Sequence, residues 1–234
     1  MLYFVGVGPG DPELITMKAV RILQEADMIV LPDTGKNSVV WEIIQRWVKN
    51  KPVHSVSVPM HGAKQEWQAA HQHASEQICE LLEEYETVAY PVLGDPGIYS
   101  SGSYLIKYIS ARYPCKVVPG VPAMCAAAAE LGISLCEQHE ELWLTDTFDA
   151  AKISPKTNAV LMKSGKSISA LKESIPGGYV ARNLGMSGQW LGKLADYPED
   201  RISYLIVGRC RFLPHRPFAD DFIRIVERIC SCIV

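Results

Sequence analysis

The chain has 234 residues, 48% of them hydrophobic and 21% charged, with a formal net charge of −3. That length sustains one large domain or two small ones with real cores, and the composition excludes a disordered, collagenous or disulfide-scaffold chain. The net charge leaves no broad basic surface for nucleic acid or an anionic membrane, though local clusters could still serve a small anionic ligand. Seven cysteines, at positions 79, 115, 125, 136, 210, 230 and 232, form no CxxC pair. No apolar run approaches the ~20 residues needed to span a bilayer, and the opening MLYFVGVGPGD lacks the charged start and cleavage site of a signal peptide. Free thiols in a reducing cytoplasm are the expectation.

Leu2–Val7 is a continuous apolar run, as expected of a strand buried on both faces, and it stops at Gly8-Pro9-Gly10-Asp11-Pro12. A helical stripe of Ile15, Ala19, Ile22 and Ala26 follows, with Asp11 or Thr16 as its cap. Met28–Leu31 reads as a second strand ended by Pro32, Val39–Val48 as a helix and Val53–Val58 as a strand. Glu66–Glu84 is a long polar-faced helix, Thr87–Leu93 a strand, Ser103–Arg112 a helix and Cys115–Val118 a strand. After Pro119-Gly120-Val121-Pro122 comes an alanine-rich helix, Ala123–Leu131. Downstream the pattern turns to strands at Glu141–Thr145, Ala159–Met162, Tyr179–Ala181 and Ile202–Val207, then a final amphipathic helix, Phe218–Ile233. The fold class is therefore α/β, with a parallel sheet in a first domain, residues 1–117, and a mixed sheet in a second, residues 118–234.

Ligands of such sheets bind beyond the carboxyl ends of the strands, where two glycine- and proline-rich loops, Gly8–Pro12 and Gly94–Gly97, lie; three motif segments stand out in all. The first, Gly6-Val7-Gly8-Pro9-Gly10-Asp11-Pro12, is not a dinucleotide fingerprint. The third glycine of that pattern would stand at Asp11, whose carboxylate would repel a diphosphate on the helix N-terminus. The second is Leu93-Gly94-Asp95-Pro96-Gly97-Ile98-Tyr99, whose Asp could cap a turn or accept from a ligand. The third, Pro119–Ala123, enters a helix whose small side chains allow close packing. Each loop by itself is also what an ordinary capped turn looks like.

In this order and spacing, the segments Val5–Thr16, Leu93–Tyr104 and Val118–Leu135 resemble the tetrapyrrole (corrin/porphyrin) methylase family, with fainter likeness through Ala159–Lys163 and Asn183–Gln189. The resemblance implies two α/β domains, S-adenosylmethionine as cofactor, a small-molecule tetrapyrrole as substrate, and a homodimer. S-adenosylmethionine carries a sulfonium and no phosphate, in keeping with Asp11. Carried over by position, the cofactor contacts are Pro9, Leu93, Gly94, Asp95, Ile98, Pro122, Ala123, Met162 and Leu184. The family commonly has Ser or Thr at the position of Pro122 or Ala123, so any contact there would come from the backbone. Within the family, Tyr99-Ser100-Ser101-Gly102-Ser103-Tyr104, Pro59-Met60 and Gly185-Met186-Ser187-Gly188 are most similar to enzymes that methylate C20 of precorrin-2 or its cobalt-bearing counterpart. Methylation of uroporphyrinogen, another precorrin or the diphthamide intermediate shares the same loops. A nucleotide-binding module without catalysis is the reading outside the family.

No catalytic residue is assigned. Some relatives end the second strand with an Asp proposed as a base, and Pro32 occupies that position here. Tyr99, Tyr104 and Glu137 are candidates by proximity to motifs. Lys163, Lys166, Arg182, Arg209 and Arg211 are candidate partners for substrate carboxylates. His54, His61, His71 and His73 lack metal-site spacing and read as surface or dimer-interface residues, and Cys230 and Cys232 as helix-face thiols. No metal site is expected.

Overall fold

In the computed structural model, residues 1–33, 38–59, 63–147, 157–162, 171–173, 177–198 and 206–209 are described. Met60, His61, Lys163, Lys166, Cys210, Arg211, Cys230, Cys232 and the helix expected at Phe218–Ile233 lie outside them. The chain forms two compact units, Met1–Ala123 and Met124–Val234.

The first unit alternates strand and helix: β1 (Leu2–Gly6), α1 (Met17–Glu25), β2 (Met28–Asp33), α2 (Val39–Ile44), β3 (Val53–Ser57), α3 (Lys64–Glu84), β4 (Val88–Val92), α4 (Gly102–Ile109) and β5 (Cys115–Val118). All ladders of its sheet are parallel, in the order β3-β2-β4-β1-β5. Alternate side chains of each strand serve opposite faces. Leu2 and Phe4 join Met28, Val30, Val88 and Tyr90 under α3 and α4. Val5 and Val7 join Ile29, Leu31 and Ala89 under α1 and α2. Burial on both faces is why β1 is apolar at every position, and each such side chain contributes about 1.5–3 kcal/mol.

Two prolines in this sheet explain where it opens. β2 runs through Pro32 to Asp33, two residues past the end read from the sequence. Ile29 N–H donates to Pro52 O on the β3 side, so alternate positions of β2, including 32, face β4. Likewise Val88 N–H donates to Met1 O on the β1 side, so position 91 of β4 faces β2. Neither proline has an N–H to give. The β2–β4 ladder accordingly covers only the pairs Met28–Val88 and Ile29–Ala89. The sheet is thus unpaired toward the carboxyl ends of β2 and β4, the neighbours whose onward connections run to opposite edges. That is the topological switch point of a doubly wound sheet.

The second unit continues from the alanine-rich helix α5 (Ala123–Leu131) into β6 (Glu141–Thr145), β7 (Thr157–Leu161), β8 (Tyr179–Arg182), β9 (Trp190–Lys193) and β10 (Ile206–Arg209). Its sheet has the order β6-β7-β10-β8-β9. β6–β7 is parallel and the other three ladders are antiparallel, so it is mixed, as expected. β9 was not foreseen, because Trp190-Leu191-Gly192-Lys193 is too short to show alternation. It pairs back on β8 through the turn that Asn183 begins. Leu161, Val180, Leu194 and Tyr197 form this unit's core.

Candidate functional site

Because every strand of the first sheet is parallel, the loops after β1, β4 and β5 share its carboxyl edge. They are in direct contact there. Gly8 and Gly94 form an isolated antiparallel bridge, with Gly94 N–H donating to Gly8 O at 2.7 Å and Val7 N–H to Val92 O at 3.0 Å. A Cβ on Gly6 would lie 2.5 Å from Gly120 N and 2.8 Å from Gly94 O. A Cβ on Gly120 would land on the Gly94 carbonyl oxygen, 2.8 Å from the Gly6 backbone. Three glycines from distant parts of the sequence thus form one clasp that admits no side chain at Gly6 or Gly120. Gly6 and Gly120 are needed for the close approach of one loop to another.

Asp95 completes the clasp. Its Oδ1 accepts from Gly97 N at 2.7 Å and its Oδ2 from Gly120 N at 2.9 Å. The acceptor expected for a ligand is bonded, at both oxygens, to the protein's own backbone.

The helix N-termini after the first loop are capped by the chain's own side chains. Asp11 accepts from Glu13 N at 2.8 Å and caps a short 3-10 turn, Pro12–Leu14. Thr16 accepts from Ala19 N and caps α1. Both capping alternatives are therefore used, one after the other, and each N-terminus is served by its own oxygen.

Of the residues carried over as cofactor contacts, Pro9, Leu93, Gly94, Asp95, Ile98, Pro122 and Ala123 all fall on this edge of the first unit. Pro9 is buried, Ile98, Pro122 and Ala123 are half-buried, and Leu93 is 38% exposed. Gly94, at φ +73°, has open space where a Cβ would stand, so a ligand could lie against its backbone. Met162 and Leu184 follow β7 and β8, strands that run in the same direction, and so share the carboxyl edge of the second sheet. Asp33 is exposed at the end of β2: the strand continues through Pro32, which places a carboxylate at the second strand's end.

Within the segment Tyr99–Tyr104 the three serines make local hydrogen bonds. Ser100 Oγ accepts from Gly102 N at 3.1 Å, Ser103 Oγ donates to Ser100 O at 2.7 Å, and Ser101 Oγ bonds the buried Tyr90 hydroxyl at 3.2 Å. Burial pushes that phenol's pKa upward, against the hydrogen bond to Ser101, so it stays protonated. Tyr104 packs edge-on against Trp67, centroids 4.5 Å apart. Tyr99 is held at φ +46° with 38% of its surface exposed, a left-handed conformation that disfavours side chains with a Cβ. Tyr99→Gly should therefore be more stable than Tyr99→Ala by about 1 kcal/mol. Urea denaturation of the two variants checks this, and the order Ala above Gly would contradict the conformation.

Other candidates separate. Glu137 precedes the amino end of β6, opposite the carboxyl edge, and its N–H donates to Glu140 Oε2. Arg182 ends β8, whereas Arg209 ends the antiparallel β10 beside Asn158 at the start of β7, so the two stand at opposite ends of the sheet. His71 is a correction: it is 2% exposed, Nδ1 lies 2.8 Å from Trp67 O, and its ring stacks 3.9 Å from that of Trp67. His73, two residues on, is exposed. Among the described residues no three His, Cys, Asp or Glu side chains gather to hold a metal. Burial raises the thiol pKa values of Cys79, Cys115 and Cys125, which keeps them poor nucleophiles.

Comparison with known proteins turns this geometry into a family. The chain is 36% identical over 144 residues to a protein of Methanocaldococcus jannaschii named probable cobalt-precorrin-2 C(20)-methyltransferase, covering 60% of this chain and 61% of that one. The chain spans less than two thirds of the length of the curated relatives it matches. A cobalamin-synthesis-related protein (CobF) of Corynebacterium diphtheriae shares the fold at TM-score 0.73 and 22% identity, over 90% of this chain and 99% of that one. Uroporphyrin-III C-methyltransferase of Thermus thermophilus, complexed with S-adenosyl homocysteine, does so at TM-score 0.60 and 17% identity, over 92% and 95%. The model of the Tetrapyrrole (Corrin/Porphyrin) Methylases matches residues 1–194, a stretch containing all three clasped loops and the carboxyl edges of both sheets, and the chain belongs to that family.

Proposed function

We propose that the protein is an S-adenosylmethionine-dependent C-methyltransferase acting on a tetrapyrrole, and that its substrate is precorrin-2 or cobalt-factor II, methylated at C20. The observation that carries the reading is the three-loop clasp at the carboxyl edge of the first sheet, in a chain of this family. The site residues fit the cofactor. Gly94 has open space where a Cβ would stand, and the side chains of Asp11 and Thr16 occupy the N-termini where a phosphate ligand would sit. The C20 assignment leans on the Methanocaldococcus jannaschii relative, which bears that activity in its name. A homodimer is part of the proposal, on the family's habit.

The cofactor supplies a methyl group on a sulfonium, already a good leaving group. What remains for this chain is to hold an electron-rich carbon in line, exclude water and receive a proton. The Gly94 face and the half-buried Ile98, Pro122 and Ala123 present backbone and apolar surface for holding and desolvation. Asp33 is the carboxylate at the end of β2 that we assign as acceptor of the proton.

S-adenosylhomocysteine at ~100 times its dissociation constant should stabilise the protein by about 2.7 kcal/mol, with no comparable effect of NAD. No thermal shift at millimolar concentration would sink the proposal. Turnover assays with precorrin-2, cobalt-factor II and uroporphyrinogen III then separate the substrates, and methylation of only the last would overturn the C20 assignment.

A further inference from the structure

The β1–β5 ladder ends at the pair Val5–Val118, and α5 begins at Ala123. The four residues between carry the third loop, and Gly120 N–H in its middle is tied to a side chain from 25 residues earlier, Asp95. The glycine contacts around Gly6, Gly94 and Gly120 set how closely the loops can approach. Contact alone holds nothing in register. The bond from Gly120 N to Asp95 Oδ2 does, and a carboxylate makes it stronger than a neutral acceptor would.

We infer that Asp95 is a positioning residue: it straps the third loop to the second and so places Pro122 and Ala123, two and three residues beyond Gly120, for the cofactor. This rests on the proposed function. It differs from a direct ligand role for the Asp95 carboxylate, since both oxygens accept backbone N–H groups within the clasp. The two roles make different predictions for the protein without cofactor. A strap orders Gly120 whether or not anything is bound, whereas a ligand contact matters only in the complex.

Asp95→Ser separates the two halves of the bond pair. A serine hydroxyl can still accept from an N–H two residues on, as in an ST-turn, so the Gly97 turn survives. It is too short to reach Gly120. Two measurements on the full chain are needed: amide hydrogen exchange at Gly120 without cofactor, and the dissociation constant of S-adenosylhomocysteine by calorimetry. Expected are faster exchange at Gly120, unchanged protection in β1 and β4, and cofactor binding weakened roughly 10–100-fold, the equivalent of about 1.4–2.8 kcal/mol. Asp95→Asn serves as a second variant. Its amide can accept from one N–H but opposes the other, so it should show the same loosening whenever Gly120 is the donor left unpaired.

Weaker binding with exchange at Gly120 unchanged would mean direct ligation and overturn the strap. Unchanged binding would overturn it as well, and so would loss of protection throughout β1 and β4, which would make Asp95 a residue of the whole fold. A wild-type protein that ignores S-adenosylhomocysteine overturns the functional proposal, and this inference with it. A wild-type protein that binds, beside a serine variant that binds equally, overturns this inference alone.

Discussion

Gly120→Ala should destabilise the first unit by about 3 kcal/mol, the upper end for one methyl forced into a packed site. The added Cβ meets the Gly94 carbonyl oxygen and the Gly6 C and Cα. All of these are backbone, so no side chain can rotate away. Both strands that would have to give, β1 and β4, lie in the middle of the sheet and are paired over five residues. The loss should appear as a lower urea midpoint at unchanged slope, with cofactor binding weakened in whatever fraction stays folded. Gly94→Ala makes the instructive contrast. Its Cβ would stand in open space, so only the left-handed backbone opposes it, at about 1–2 kcal/mol. An alanine at 120 tolerated as well as one at 94 would mean the loops do not touch.

That pair of glycines also shows how much of the site could be read from sequence. The glycine-rich loops stand out in the chain, and the parallel alternation of strand and helix puts them at one edge. Which glycines are needed for turns and which for contact depends on what lies opposite, and Gly6 and Gly120 are more than a hundred residues apart. The turn bond from Gly97 to Asp95 was legible, whereas the bond from Gly120, 25 residues on, was hidden for the same reason. Pro32 looked like a strand end because a proline removes an N–H. Whether that N–H was wanted depends on which neighbour it faces, and Ile29 donating to Pro52 settles that it faced the unpaired β2–β4 seam. His71 is legible as a buried residue. It lies on the helix stripe of Ala74, Ser75 and Ile78, all buried, at the spacings that share one helix face. The short β9 left too little pattern to read, and the hydrogen bonds of Ser100, Ser101 and Ser103 ahead of α4 depend on partners that the sequence pattern does not show.

Phe4→Ala should cost about 3–5 kcal/mol, the usual range for a buried aromatic truncated to alanine, and its consequences should reach α4. Phe4 is 1% exposed and meets Tyr90 edge-on, ring centroids 5.6 Å apart. The first residue of α4, Gly102, rests on the same ring, since a Cβ there would lie 2.8 Å from Phe4 Cδ1. Phe4 is thus the floor beneath the helix start, where Gly102 N–H donates to Ser100 Oγ and the Tyr90 hydroxyl bonds Ser101. Removing the ring should lower the urea midpoint and speed amide exchange at Gly102 and Leu105 beyond the global change. The pairing makes a double-mutant cycle decisive. Gly102→Ala alone should destabilise the protein, because its methyl meets the ring, although alanine is the better helix former by about 1 kcal/mol. In the Phe4→Ala background that clash is gone, the methyl fills part of the cavity and the helix preference is felt. The double variant should therefore be more stable than the sum of the single losses, by about 1–3 kcal/mol of coupling. Strict additivity would show that α4 does not stand on Phe4.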